Sequence, residues 1–182
     1  VGTPECGAYL DAMKVCQDYA RANRQIMMEL ICRAMERHIP RAIDRIITVS
    51  CHHNYIAEEI HRGSPHFVTR KGAIRAENGE WGIIPGAMGN GSASYITIGK
   101  GNPEAFNSAP HGAGRAMSRG AAKRKFTVDD LREVTEGIEC RKDKGVIDEI
   151  QMSYKPIASV MEHAGDLVTP EYELHALLCV KG

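Results

Sequence analysis

Apolar side chains recur at helical spacing from Pro4 to His38, at Leu10, Met13, Val15 or Cys16, Tyr19, Ala20, Ile26, Met27, Leu30, Ile31, Ala34 and Met35. Side chains three and four residues apart share one face of an α-helix. This segment therefore predicts one long helix, which Pro40 stops. Arg21, Arg24 and Arg33 fall off the apolar stripe. The β-branched run at residues 46–51 predicts a buried strand. Residues 67–69, 81–84 and 94–98 predict three more, with Gly and Asn marking the turns between them, notably at Asn78-Gly79. Thr127-Val128-Asp129-Asp130 reads as a capping box with aspartate in the glutamate role, opening a helix that runs to about Gly137. Residues 154–162 predict a short helix that tolerates Pro156 in its first turn. Residues 172–180 alternate and then turn solidly apolar, as a strand entering a core would. Helices and antiparallel strands in blocks predict an α+β fold, with the long N-terminal helix packed on a largely antiparallel sheet.

Length and composition narrow this picture. At 182 residues, a single domain spanning 1–182 is expected. Apolar residues make up 43% of the chain, with three Phe and one Trp, so aliphatic and Met side chains must fill the core. The formal net charge is zero, so any nucleic-acid contact must use a local patch rather than a basic surface. Arg115, Arg119, Lys123, Arg124 and Lys125 supply one such run, readable as a phosphate track or as a solvated helix face. The six cysteines form no CxxC pair and read as free, buried thiols. No run approaches the ~20 apolar residues needed to span a membrane, so a cytoplasmic location without membrane contact is expected.

Three blocks carry candidate chemistry. In Asn107-Ser108-Ala109-Pro110-His111-Gly112-Ala113-Gly114-Arg115, a histidine stands just ahead of two glycines. Glycine lets backbone N–H groups approach an anion, and a helix opening directly afterwards would aim its first N–H groups at the same place. His111 reads as a nucleophile or proton donor over a phosphate cradle, or as a surface histidine on a glycine-rich turn. Cys51-His52-His53-Asn54-Tyr55 follows the apolar run and places adjacent histidines at a strand end, as metal ligands or as one packed and one exposed ring. Imidazole suits several transition metals, so the metal cannot be named from these residues. Residues 84–92, Ile-Pro-Gly-Ala-Met-Gly-Asn-Gly-Ser, specify a turn-rich loop able to wrap a nucleotide or simply to cross the surface. There is no dinucleotide fingerprint and no P-loop.

Taken together, the blocks resemble the RtcB family of GTP-dependent RNA ligases. The matching stretches are residues 51–55, Val68-Thr69-Arg70-Lys71-Gly72-Ala73, residues 82–89, His111-Gly112-Ala113-Gly114-Arg115 with Met117-Ser118-Arg119, Asp148-Glu149-Ile150 with Tyr154-Lys155, and the terminal Val180-Lys181-Gly182. They stand in the family's order and at similar intervals over nearly the whole chain. Residues 20–25 also resemble the family, in a packing role. Family members are considerably longer on the N-terminal side, where an aspartate, a cysteine and two further histidines hold most of a metal site. The resemblance therefore implies a C-terminal portion, incomplete relative to the full family fold, whether a fragment, a subunit of a split ligase or a degraded copy.

What the resemblance implies for individual residues is specific. His111 is the nucleophile that takes GMP from GTP as a phosphoramidate. His53, directly before Asn54, is the metal ligand, with manganese as the family's cation, and His52 packs or makes a supporting bond. Asn54, Pro85, Gly86, Ala87, Met88, Ser94, Gly112, Ala113, Gly114, Lys181 and Tyr154 fall where the family contacts the guanylate. Arg70, Lys71 and Arg115 would meet RNA or triphosphate oxygens. The implied activity joins RNA 3′-phosphate or 2′,3′-cyclic phosphate ends to 5′-hydroxyl ends, with broken tRNA-like RNA as substrate. Ala87 replaces a serine frequent in that loop, and residues 107–110 lack the family's usual cysteine. Neither change removes the reacting group.

Overall fold

The computed structural model describes residues 2–39 and 48–180. Two compact units divide the chain, residues 1–71 and 72–182. A single domain was the expectation from length alone.

The first unit contains α1 (Pro4–His38) and a hairpin of β1 (Asn54–His61) and β2 (Ser64–Lys71). Thr3 caps α1, its hydroxyl accepting from the Cys6 N–H at 3.3 Å, and Pro4 occupies the first turn, where its missing donor costs nothing. Ile39, the residue before Pro40, is extended (φ −107°, ψ 115°), as a residue preceding proline prefers. The strands pair antiparallel, with Asn54 opposite Lys71 and Tyr55 opposite Arg70. The Gln17 side chain of α1 accepts from the Ile56 N–H at 2.8 Å. The apolar stripe of α1 is not packed away as the periodicity suggested. Tyr19 is 74% exposed and Leu30 57%, and among the described residues of the helix only Cys32 is buried. Of the apolar run at 46–51, residues 46 and 47 lie outside the described residues, and residues 48–51 are not strand. The strand begins only at Asn54.

The second unit holds β3 (Ala73–Arg75), β4 (Trp81–Ile84), β5 (Ser94–Gly99), β6 (Ser108–Pro110), α2 (Arg119–Lys125), α3 (Val128–Val134), β7 (Glu139–Cys140), α4 (Ile157–His163), β8 (Val168–Leu174) and β9 (Leu178–Cys179). β3 pairs with β6, β4–β5–β8 form a sheet, and both are antiparallel. β7 and β9 pair in parallel. The α+β assignment and the antiparallel character stand. Met88, Leu131, Val146, Ile147 and Ile150 form one core cluster. The capping box at Thr127 forms as expected, with Asp130 accepting from the Thr127 N–H and returning its own N–H to the Thr127 hydroxyl.

Two expectations shift here. The helix predicted over 154–162 starts at Ile157, with Pro156 as its N-cap, because Lys155 precedes proline and leaves the helical region. The strand predicted over 172–180 is split between β8 and β9 and does not enter a core, since Leu177 is 83% exposed and Leu178 63%. All six cysteines are free, but only Cys32 is buried.

Candidate functional site

His111 stands at the end of β6, which pairs with β3 so that Pro110 faces Ala73. That register brings the ring to the Gly72 carbonyl, 2.6 Å from Nδ1. A carbonyl only accepts, so Nδ1 carries the proton, and in the neutral ring the lone pair lies on Nε2. The same carbonyl accepts the His111 backbone N–H at 3.4 Å. Gly72 has φ +71°, and a Cβ there would lie 3.1 Å from His111 Cε1. Only glycine permits this approach at no steric cost.

The chain after His111 forms a turn held against a second segment. Lys155 N–H donates to the Gly114 carbonyl at 2.9 Å, and Ala116 N–H donates to the Ser153 carbonyl at 2.9 Å. The backbone N–H groups of Gly112, Ala113 and Gly114 donate to no acceptor among the described residues. Successive amide donors in a turn, with Gly114 at φ +71°, are a backbone arrangement of the kind that can accept an anion. The expected helix does not open directly behind the glycines. α2 begins at Arg119, with Ser118 as its cap, so its first turn belongs to other residues.

The loop at residues 85–88 forms the facing wall. A Cβ on Gly86 would sit 2.1 Å from the Ala93 carbonyl oxygen, so the loop requires glycine. Gly86 N–H donates to Ser94 Oγ at 3.0 Å, and Ala87 N–H donates to Ser92 Oγ at 2.7 Å. These two donors fold the loop itself. Met88 is buried in the core cluster, and Gln151 N–H donates to its carbonyl at 3.1 Å, which anchors the loop.

Arg115 spends its guanidinium on three oxygens. Nε donates to the Met117 carbonyl at 3.1 Å, Nη1 to the Tyr154 hydroxyl at 3.0 Å and Nη2 to the Asp148 carbonyl at 2.7 Å. Its carbon lies 4.8 Å over the Tyr154 ring centre. Tyr154 in turn donates to Glu149 Oε2 at 2.6 Å. Burial first, and then the Glu149 carboxylate, push the Tyr154 phenol above its ordinary range. Within the basic run, Arg119 bonds Asp148 and Glu149, and Lys123 lies 3.4 Å from Asp148. Only part of that run faces solvent unpaired by these carboxylates.

These pieces enclose one cleft of about 530 Å³. Pro85, Gly86, Ala87, Met88, Ser94, His111, Gly112, Ala113, Gly114, Arg115 and Tyr154 all line it, so every named site residue that lies in the described part of the second unit converges there. Sequence reasoning missed Ile138, Ala176, Leu178 and Cys179, which supply apolar wall, and left Glu149 without a role. The apolar wall could not be found by motif, because Ile138 is brought beside Leu178 and Cys179 by the parallel pairing of β7 with β9, between segments far apart in the chain. Lys181 lies outside the described residues.

His53, Asn54, Arg70 and Lys71 belong to the first unit. His53 and Asn54 are exposed at the start of β1, as is Lys71 at the end of β2. Arg70 is 3% exposed, its fork on Glu59 at 2.5 and 2.9 Å and on the Tyr55 hydroxyl at 2.9 Å. This buried guanidinium braces the two strands of the hairpin. Its neighbour Lys71 keeps its outward position. His52 Nε2 lies 3.3 Å from Arg24, which can only donate, and burial together with Arg24 and Arg21 holds this imidazole below its ordinary range. Among the described residues no three His, Cys, Asp or Glu side chains come together to hold a metal ion, and no helix is long and apolar enough to cross a membrane.

Comparison with known proteins identifies the family. The family model described as tRNA-splicing ligase RtcB matches residues 1–182. The RNA-splicing ligases RtcB1 and RtcB from two strains of Escherichia coli are each 45% identical to this chain along its whole length. The tRNA-splicing ligase RtcB of Nanoarchaeum equitans is 33% identical over 87% of the chain. The chain spans 45% of the length of the Escherichia coli relatives and 38% of the archaeal one. By the motifs gathered around His111, the full-length family match and these identities, this chain belongs to the RtcB family.

Proposed function

We propose that this chain carries the guanylate-accepting site of an RNA ligase that joins RNA 3′-phosphate or 2′,3′-cyclic phosphate ends to 5′-hydroxyl ends. The observation that carries the reading is the convergence of the His111 ring, the Gly112–Gly114 amides and the Pro85–Met88 loop on one cleft. Its volume lies within the ~300–1,000 Å³ range of small-molecule sites.

In the first step Nε2 attacks the α-phosphorus of GTP. A P–N bond forms, the P–O bond to pyrophosphate breaks, and pyrophosphate leaves with its electron pair. The Nδ1–H bond to Gly72 supports this attack, because it leaves the lone pair on the outer nitrogen and stabilises the positive charge the ring gains. The amides of residues 112–114 would stabilise the added charge on the phosphoryl oxygens. A 2′,3′-cyclic end first adds water at phosphorus, breaking the bond to the 2′-oxygen, to give a 3′-phosphate. In the second step an oxygen of the RNA 3′-phosphate attacks the guanylyl phosphorus and the P–N bond breaks, restoring the neutral ring. In the third, the 5′-hydroxyl attacks the activated 3′-phosphorus, loses its proton, and GMP departs.

Manganese enters only as an ion that His53 would help to hold. The described residues do not form a metal centre by themselves, so its other ligands would come from outside them. Asn54, Lys71 and Lys181 are proposed contacts to the nucleotide or RNA. A separate segment corresponding to the remainder of the relatives is the proposed partner, and the exposed apolar stripe of α1 supports it. A cytoplasmic location fits the substrate.

The test is to incubate the chain with GTP and Mn²⁺, with and without the N-terminal portion of an Escherichia coli relative, and to weigh it intact. A GMP adduct that His111→Ala abolishes is the expected result. Absence of adduct under both conditions overturns the reading in favour of an inactive nucleotide-binding remnant.

A further inference from the structure

We propose that Glu149 is a positioning residue of this site, acting through Tyr154 on Arg115 and thereby on the phosphate cradle. The inference rests on the guanylate reading of the cleft.

The carboxylate is 16% exposed and lines the cleft. A carboxylate beside a site for a phosphate is unfavourable unless its own charge is met, and Arg119 meets it, 2.5 Å from Oε1. The other oxygen accepts the Tyr154 hydroxyl at 2.6 Å. A phenol has one proton, so committing it to Glu149 turns the lone pairs of the hydroxyl toward Arg115, which donates at 3.0 Å. Arg115 follows Gly114 directly, and its backbone bridges Tyr154. The bonds therefore converge on Glu149, from Arg115 through Tyr154 on one side and from Arg119 on the other. Remove the acceptor at Glu149 and the hydroxyl is free to turn its proton toward Arg115, which has no acceptor to offer. Arg115 then loses one of the three bonds that set its guanidinium at the C-terminal edge of the cradle.

Two substitutions separate orientation from charge. Glu149→Gln keeps an oxygen at the same reach but removes the charge. Glu149→Asp keeps the charge beside Arg119 but withdraws the oxygen from Tyr154. With the companion segment, Mn²⁺ and saturating GTP, adduct formation on His111 is expected to slow about tenfold in Glu149→Asp, the scale of one hydrogen bond to a charged group. Glu149→Gln is expected to stay near wild type, and the GTP concentration giving half-maximal rate is expected to move little in either. Thermal melting checks that both variants fold. The reverse ranking, or equal rates in all three proteins, overturns the relay.

A second measurement needs no ligase activity. Ultraviolet titration, with Tyr154→Phe subtracted to isolate one phenol, is expected to show Tyr154 ionising at lower pH in both variants than in the wild type. An unmoved titration overturns the relay. A wild-type protein that forms no adduct, but whose Tyr154 titration shifts as expected, overturns the ligase reading and leaves the relay standing.

Discussion

The Gly72 carbonyl oxygen lies 2.6 Å from His111 Nδ1, and this contact fixes which nitrogen of the ring can react. The carbonyl belongs to a glycine at φ +71°, whose missing side chain is what lets the ring approach. Replacing Gly72 by Ala adds left-handed strain of about 1–2 kcal/mol and pushes a methyl carbon against Cε1. Denaturant unfolding should show that loss. Adduct formation should fall further than stability alone explains, because the ring is displaced from its carbonyl. A variant with wild-type rate and stability would contradict the role given to this contact.

Gly86 sets the opposite wall. An added Cβ would lie 2.1 Å from a backbone oxygen and 2.5 Å from Ser92 Oγ, and backbone cannot swing aside as a flexible side chain can. Gly86→Ala should cost about 1–3 kcal/mol, the usual range for overpacking, and should weaken GMP binding measured by calorimetry. Unchanged binding would show that the loop does not shape the cleft.

Arg115 distinguishes a fixed fork from a mere point charge. Lys carries the same charge but cannot reach the Met117 carbonyl, the Tyr154 hydroxyl and the Asp148 carbonyl at once. Arg115→Lys is expected to lower the melting temperature and to slow adduct formation about tenfold, the equivalent of one charge-assisted bond. A fully active Lys variant would mean that only the charge matters.

The hairpin of the first unit should respond to acid through Glu59. Burial by itself would raise this carboxyl, but bonds from Arg70 and His61 outweigh it and hold the group below its ordinary range. A depressed folded value means that its contribution is complete above the unfolded value, near ~4.3, and is lost as pH falls through the folded one. Unfolding free energy measured from pH 7 to pH 3 should therefore fall more steeply in the wild type than in Glu59→Gln. Removing Arg70 while leaving Glu59 buried should cost about 3–5 kcal/mol, so Arg70→Met is expected to destabilise the hairpin even at neutral pH.

The sequence by itself determined the elements whose causes are local. Thr3 and Pro4 start α1 and the residue before Pro40 ends it, while Thr127 and Asp130 close a capping box, because each depends on neighbours a few residues away. The motif residues around His111 were legible for the same reason: glycine at Gly114 answers a local backbone demand. Only tertiary structure decided what these residues do to one another. The tautomer of His111 depends on β3 lying beside β6, the burial of Arg70 on the register of β1 with β2, and the relay through Glu149 on residues 148–154 folding back onto residues 114–119. Those contacts join residues far apart in the chain, and a linear pattern of polar and apolar positions holds no record of which distant partner a polar group will meet.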